Sequence, residues 1–170
     1  MRTLAQLNQA DRPAFVAALG HLFEHSPWVV DETWSRRPFR DGAHLHAELC
    51  VTMRAASRAR QLALIRAHPD LAGRLAPQRK LTAESTREQA SAGLGELTAA
   101  EMAEFRKLND AYRARLEFPF IICARLNDKA TIVAAMRLRA VNPPEQEFQT
   151  ALGEIEKIAW WRLQDAFPAA

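Results

Sequence analysis

The sequence predicts an all-α protein, a single-domain irregular bundle of seven or more helices over residues 1–170. Three observations carry that expectation. Apolar residues recur three and four positions apart through most of the chain, the period of a helix that buries one face. Alanine, leucine and arginine favour helix and are abundant, whereas 6 glycines and 1 tyrosine are too few for a many-turned β-sandwich. The apolar run from Phe118 to Ala124 is the one segment that reads equally as a buried strand. It has no evident partner strand, so a loop entering a buried helix is expected there.

Taken in order, Asp11 caps a short helix with Pro13 early in it and Phe15, Val16, Ala18 and Leu19 as its apolar positions; Gly20 stands where that helix stops. His25-Ser26-Pro27-Trp28 opens another short element, and Arg37-Pro38-Phe39 breaks the pattern. A long helix is predicted over 43–67, with Leu45, Leu49, Met53, Leu62 and Ile65 as its stripe and Ser57 as a kink or boundary. It must end near His68, because a residue before proline is pushed out of the α region. Gly73 offers a second break, and Leu75 to Lys80 reads as a polar loop.

Thr82 and Ser85 both suit an N-cap. Ser85-Thr86-Arg87-Glu88 has the form of a capping box, which predicts a helix over 86–94. Thr98-Ala99-Ala100-Glu101 is a second box, opening a helix to Leu116 with Met102, Phe105, Leu108 and Tyr112 on its apolar face. Asp128 caps a helix through Ala140. Pro143 starts the last one, to Ala166, with Phe148, Leu152, Ile155, Ile158, Ala159 and Leu163 facing inward.

The 23 basic and 20 acidic residues leave a net charge of +3, and the two signs are interspersed. Arg54, Arg58, Arg60 and Arg66 are spread along a helical stretch, the pattern of a solvated face rather than a nucleic-acid surface. Small anionic substrates remain compatible with it. Cys50 and Cys123 lie far apart in apolar surroundings, which predicts reduced core thiols with neither a disulfide framework nor metal-ligand spacing. Asn8, Gln9, Asp11 and Arg12 interrupt any secretory apolar core, and no apolar run approaches membrane-spanning length. A cytoplasmic protein is therefore expected.

Five histidines are candidates for proton chemistry. His21, His44 and His46 fall in or beside helical patterns and His25 in a turn, so each reads as a surface or half-buried residue. No pair has zinc-site spacing with a credible third ligand, and no metal is expected. His68 differs, because it stands at a helix end on a turn fixed by Pro69. An imidazole held there can move protons near neutral pH, or it can simply bond the last helix carbonyls. Glu88 and Gln89 carry a similar choice. Glu88 either reaches back to the Ser85 amide or joins Ser85 and Gln89 on a helix-start face suited to polar and anionic groups. Arg162, between Trp161 and Leu163, either snorkels to water or clamps a carboxylate in a pocket; snorkelling is the expectation from the residues alone.

Three long motifs occur in order: His68-Pro69-Asp70-Leu71-Ala72-Gly73, Leu81 to Leu94, and Phe118-Pro119-Phe120-Ile121-Ile122-Cys123-Ala124-Arg125. With Phe23-Glu24-His25-Ser26-Pro27-Trp28 and Glu154 to Ala159, they resemble the 2-oxo-4-hydroxy-4-carboxy-5-ureidoimidazoline (OHCU) decarboxylase family over nearly the whole chain. The resemblance implies an all-helical homodimer, without metal or organic cofactor, that converts the small molecule OHCU into (S)-allantoin in urate breakdown. It implies catalytic roles for His68, Glu88 and Arg162. It implies substrate contacts from Pro69, from Ser85, Thr86, Arg87, Glu88 and Gln89, and from Phe120, Ile121, Ile122, Cys123 and Ala124. Two rival expectations are a non-enzymatic helical scaffold that binds other urate-pathway enzymes, and a related decarboxylase for a different small carboxylate.

Overall fold

The computed structural model describes residues 3–72 and 82–167. Among these residues the fold is all-α, with nine α-helices, three one-turn 3₁₀ segments and no strand. The expected Gly73 break and the polar loop at Leu75 to Lys80 lie outside the described residues. The chain divides into two compact units, residues 1–67 with 156–170, and residues 68–155.

The first unit contains α1 (Leu4–Gln9), α2 (Arg12–Leu19), α3 (Trp28–Thr33), α4 (Gly42–Ala55) and α5 (Arg58–Ala67). Asp11 caps α2 by accepting from the Ala14 amide at 2.8 Å, and Gly20 closes it, as its sequence predicts. Helix α1 was not expected from the sequence; Thr3 and Gln6 form its capping box. The single helix predicted over 43–67 is two. Ala56 leaves the helical region (φ −67°, ψ 157°), and α5 restarts from Ser57, whose hydroxyl accepts from the Arg60 amide at 3.4 Å. The break strands the last carbonyls of α4, and the Gln61 side-chain amide takes two of them, Met53 at 3.2 Å and Arg54 at 2.8 Å. Restarting also resets the phase of the stripe. Gln61, Leu64 and Ile65 face inward, while Leu62 is half-buried.

The second unit contains α6 (Ala83–Ser91), α7 (Ala99–Leu116) and α8 (Lys129–Arg139). Helix α9 (Pro144–Ala166) begins in it and continues into the first unit. Thr98 and Glu101 form the expected capping box of α7, and Asp128 caps α8. Two local expectations fail at α6. Its cap is Thr82, whose hydroxyl accepts from the Ser85 amide at 3.2 Å, so the Ser85–Glu88 capping box does not form. Its end is Ser91, because Gly93 adopts a left-handed φ of 78° and Leu94 donates back to the Gln89 carbonyl at 3.0 Å. The Phe118 to Ala124 run is a buried loop, followed by a 3₁₀ turn over Ala124–Leu126. Every one of the six inward positions expected on α9 is buried. On α7, Phe105 and Tyr112 are buried, but Met102 and Leu108 are only half-buried.

Candidate active site

Helix α5 ends at Ala67, and His68 follows at 5% exposure. The turn it begins reaches Ala72, which sits at a left-handed φ of 58°. Three side chains hold that turn. Gln89 accepts from the Ala72 amide at 3.0 Å and donates to the Asp70 carbonyl at 3.4 Å. Asn109 donates to the Leu71 carbonyl at 2.9 Å. Arg113 grips the Asp70 carboxylate through Nε at 2.9 Å and Nη2 at 2.8 Å. The segment after His68 is thus fixed from α6 and from two successive turns of α7. His68 makes a further interaction of its own, and its Nε2 atom lies buried with no hydrogen bond among the described residues.

The α6 segment divides between two directions. Ser85 and Gln89 are buried and Glu88 is half-buried, as expected for positions three and four apart on one face. Thr86 instead donates to the Thr82 carbonyl at 2.9 Å. The exposed Arg87 lies 3.4 Å from the Glu84 carboxylate. Of the five residues expected to contact substrate here, Ser85, Glu88 and Gln89 share the inner face, whereas Thr86 and Arg87 engage their own helix.

Within the third motif, Phe120 to Ala124 are all buried, and Arg125 is exposed. A buried loop must find partners for its backbone groups. The Ile121 carbonyl accepts from Arg139 at 2.9 Å, and the Cys123 amide donates to Glu154 at 2.8 Å. Burial pushes the Cys123 thiol up to about 11, and the carboxylates of Glu154 and Glu88 push in the same direction. Both carboxylates therefore lie within electrostatic reach of this residue, and α6 packs against the 124–126 turn. Within the second unit, α6 thus meets the turn that follows His68, through Gln89, and also the end of the Phe120 to Ala124 loop.

Arg162 belongs to the first unit, and the snorkelling expectation is wrong. Its side chain is 3% exposed and donates to the Glu24 carboxylate at 3.1 Å and the His21 carbonyl at 3.3 Å. A buried carboxylate draws a guanidinium inward because neither charge tolerates burial alone. His21 and His25 are exposed, and His44 and His46 half-buried, as their sequence positions suggested. Cys50 is half-buried rather than in the core, 3.4 Å from the ring of His46. Both cysteines are free.

The sequence did not single out Asn109, Arg113, Arg139, Glu147 or Glu154. Asn109 offered a signal, since a polar residue on the same α7 face as Phe105 and Tyr112 needs a buried partner. Among the described residues, no group of three or more His, Cys, Asp or Glu side chains is arranged to hold a metal ion, and no helix is long and apolar enough to cross a membrane.

A family model for OHCU decarboxylase matches residues 8–164. A Halalkalicoccus jeotgali protein named 2-oxo-4-hydroxy-4-carboxy-5-ureidoimidazoline decarboxylase is 44% identical over 163 residues, 96% of this chain and 90% of the relative. A Haloferax volcanii protein of the same name is 41% identical over 165 residues, 97% of this chain and 96% of the relative. A crystal structure of an (S)-allantoin synthase superposes with a TM-score of 0.75 at 32% identity, covering 97% of this chain and 54% of that one. Matches of this similarity, spanning nearly all of both sequences in the two named relatives, assign the chain: it belongs to the OHCU decarboxylase family.

Proposed function

We infer that this chain is a carboxy-lyase that converts OHCU to (S)-allantoin and carbon dioxide in urate degradation, with residues 1–170 acting as one catalytic domain. The observation that carries the site assignment is the placement of His68. It is a nearly buried imidazole on a turn clamped by Gln89, Asn109 and Arg113. That rigidity is what a general acid or base needs.

The substrate carries a carboxylate and a hydroxyl on one ring carbon, beside a carbon–nitrogen double bond. When the bond to the carboxylate breaks, its electron pair forms a carbon–carbon double bond and the neighbouring nitrogen takes up charge and a proton. The hydroxyl then gives up its proton to become the carbonyl of the product, and the adjacent carbon gains one on a single face. No borrowed electron sink is required, so the chemistry asks for no organic cofactor.

In this reading His68 moves the proton and Glu88 orients the imidazole and supports its charged form. The backbone from Phe120 to Ala124 meets the ring and ureido amides, with Phe120 excluding water. Pro69, Ser85 and Gln89 complete the contacts, and Thr86 and Arg87 contribute through the start of α6. The family resemblance gives Arg162 the task of holding anionic or carbonyl oxygen. It also supports a homodimer, while the reduced thiols and the interrupted N-terminal apolar run support a cytoplasmic location.

Purified protein should speed the appearance of (S)-allantoin from freshly generated OHCU, followed by circular dichroism, with chelators having no effect. His68→Ala should lower kcat by about 10²–10⁴. A folded His68→Ala variant as active as the parent removes His68 from the mechanism.

A further inference from the structure

The buried ion pair of Arg139 and Glu147 lies beside the Phe120 to Ala124 loop, in the second unit. Glu147 is 0% exposed and Arg139 9%. The guanidinium bonds the Glu147 carboxylate with two of its nitrogens, Nε at 2.8 Å and Nη2. Its remaining nitrogen, Nη1, donates to the Ile121 carbonyl at 2.9 Å. Its Cζ atom lies over the Phe120 ring, 4.2 Å from the centroid. One side chain thus holds two successive residues of the loop, one by its backbone and one by its ring.

Glu147 is fixed in turn. Tyr112 donates to Oε1 at 2.5 Å, and Asn142 donates to Oε2 at 3.0 Å. The Tyr112 ring meets Phe120 edge-on, with centroids 5.2 Å apart and planes at 88°. Phe120 is therefore held by a cation on one contact and an aromatic edge on another. A buried ion pair is a poor device for stability, since well-packed apolar residues in its place are often as good or better. A planar fork that bonds a carboxylate, a carbonyl and a ring at fixed angles is a good device for orientation.

We propose that Arg139 and Glu147 form a positioning pair that sets the conformation of the Phe120 to Cys123 segment, and with it the affinity for the ureido-substituted ring. The proposal rests on the reading that this segment grips substrate. Neither residue touches substrate; they act through Phe120 and the Ile121 carbonyl. Lysine in place of Arg139 keeps the charge but loses the fork and the stacking face, so it isolates orientation from electrostatics.

The experiment compares the full-length parent with Arg139→Lys, Tyr112→Phe and, as a surface control on the same helix, Arg137→Lys. For each, kcat and KM for OHCU are measured with the dissociation constant of (S)-allantoin by calorimetry and the melting temperature. Arg139→Lys should raise KM and the allantoin Kd together, by about tenfold, with kcat changed far less. Tyr112→Phe removes one bond onto Glu147 and should move both constants the same way by about threefold. Arg137→Lys should match the parent. If Arg139→Lys folds and melts lower while KM and Kd stay at parental values, the pair is merely structural and the proposal is overturned. Should Arg139→Lys not fold, unchanged KM and Kd in Tyr112→Phe overturn it equally. A parent that neither converts OHCU nor binds (S)-allantoin overturns the functional reading itself, and this proposal with it.

Discussion

The side-chain oxygen of Gln89 accepts a hydrogen bond from the backbone amide of Ala72 at 3.0 Å, at a residue whose φ of 58° is left-handed. A non-glycine residue in that region costs about 1–2 kcal/mol, so the surrounding structure must hold it there. Gln89 does so while also donating to the Asp70 carbonyl. The same amide group thereby sets the path of the chain leaving His68.

Gln89→Leu keeps the bulk of the side chain and deletes both bonds. The buried Ala72 amide is then left without its acceptor, which should cost about 1–3 kcal/mol in a urea titration. Because the His68 turn loses a constraint, kcat should fall at least about tenfold. Gln89→Glu retains the acceptor for Ala72 but, when ionised, buries a carboxylate against the Asp70 carbonyl, so at neutral pH it should be at least as destabilising as Leu. A Leu variant with parental kcat would show that the turn holds its shape without Gln89.

How far these features were readable in the sequence depends on how local their causes are. Asp11, Thr98 and Asp128 cap the helices they were expected to cap, because a cap bonds an amide three residues away. Thr82 and Ser85 are both valid caps three residues apart, and nothing local decides between them. Ser57 marks the boundary between α4 and α5, as its sequence suggested, because its hydroxyl bonds the Arg60 amide three residues on; the Gln61 bonds that satisfy the end of α4 were not legible, since they exist only after the chain has turned. His68 was legible because Pro69 dictates a turn. The clamp on the turn after it was not, since Asn109 and Arg113 reach Leu71 and Asp70 from 38 and 43 residues away. Arg162 was misread because its partner, Glu24, is 138 residues distant. Without that carboxylate in view, an arginine among tryptophans is expected to seek water.

Glu117 ends α7 at a left-handed φ of 62°, with its amide donating to the Arg113 carbonyl at 2.9 Å. It is exposed, so little packing is at stake. Glycine adopts this conformation without a Cβ penalty and is the usual residue at such helix ends. Glu117→Gly should raise stability by up to about 1 kcal/mol, the relief at φ being partly offset by a freer unfolded chain. Turnover should not change. Lower stability by urea denaturation would mean that the glutamate side chain contributes more than its backbone costs.

The two thiols give a pH dependence with a definite sign. Burial is the first cause for both, pushing Cys50 up to about 12 and Cys123 up to about 11, each reinforced by nearby carboxylate charge. An unfolded thiol titrates near about 8.5. Below that value both states hold the proton and the thiols' contribution to stability is complete. As pH rises from there through about 11, the unfolded state loses its protons first and stability is lost. Urea midpoints from about pH 8 to 11 should fall less steeply in Cys123→Ala than in the parent. Native protein at about pH 8 should alkylate slowly with iodoacetamide, and denatured protein quickly. Equal slopes in parent and variant would show that Cys123 titrates normally.

The Arg162–Glu24 pair allows stability and catalysis to be separated. The side chains are 3% and 1% exposed, and the bond between them is 3.1 Å. Removing one partner leaves a buried charge without its counter-charge, so Glu24→Ala should cost about 3–5 kcal/mol in stability. Replacing both by methionine removes both charges together and should recover most of that loss. If Arg162 holds substrate oxygen, the double variant folds but fails to turn over OHCU at a measurable rate. The single variant Glu24→Ala, assayed at a temperature where it remains folded, should retain part of its activity because the guanidinium is still present. Parental turnover in the doubly substituted protein would confine Arg162 to a structural role and leave the chemistry to the second unit.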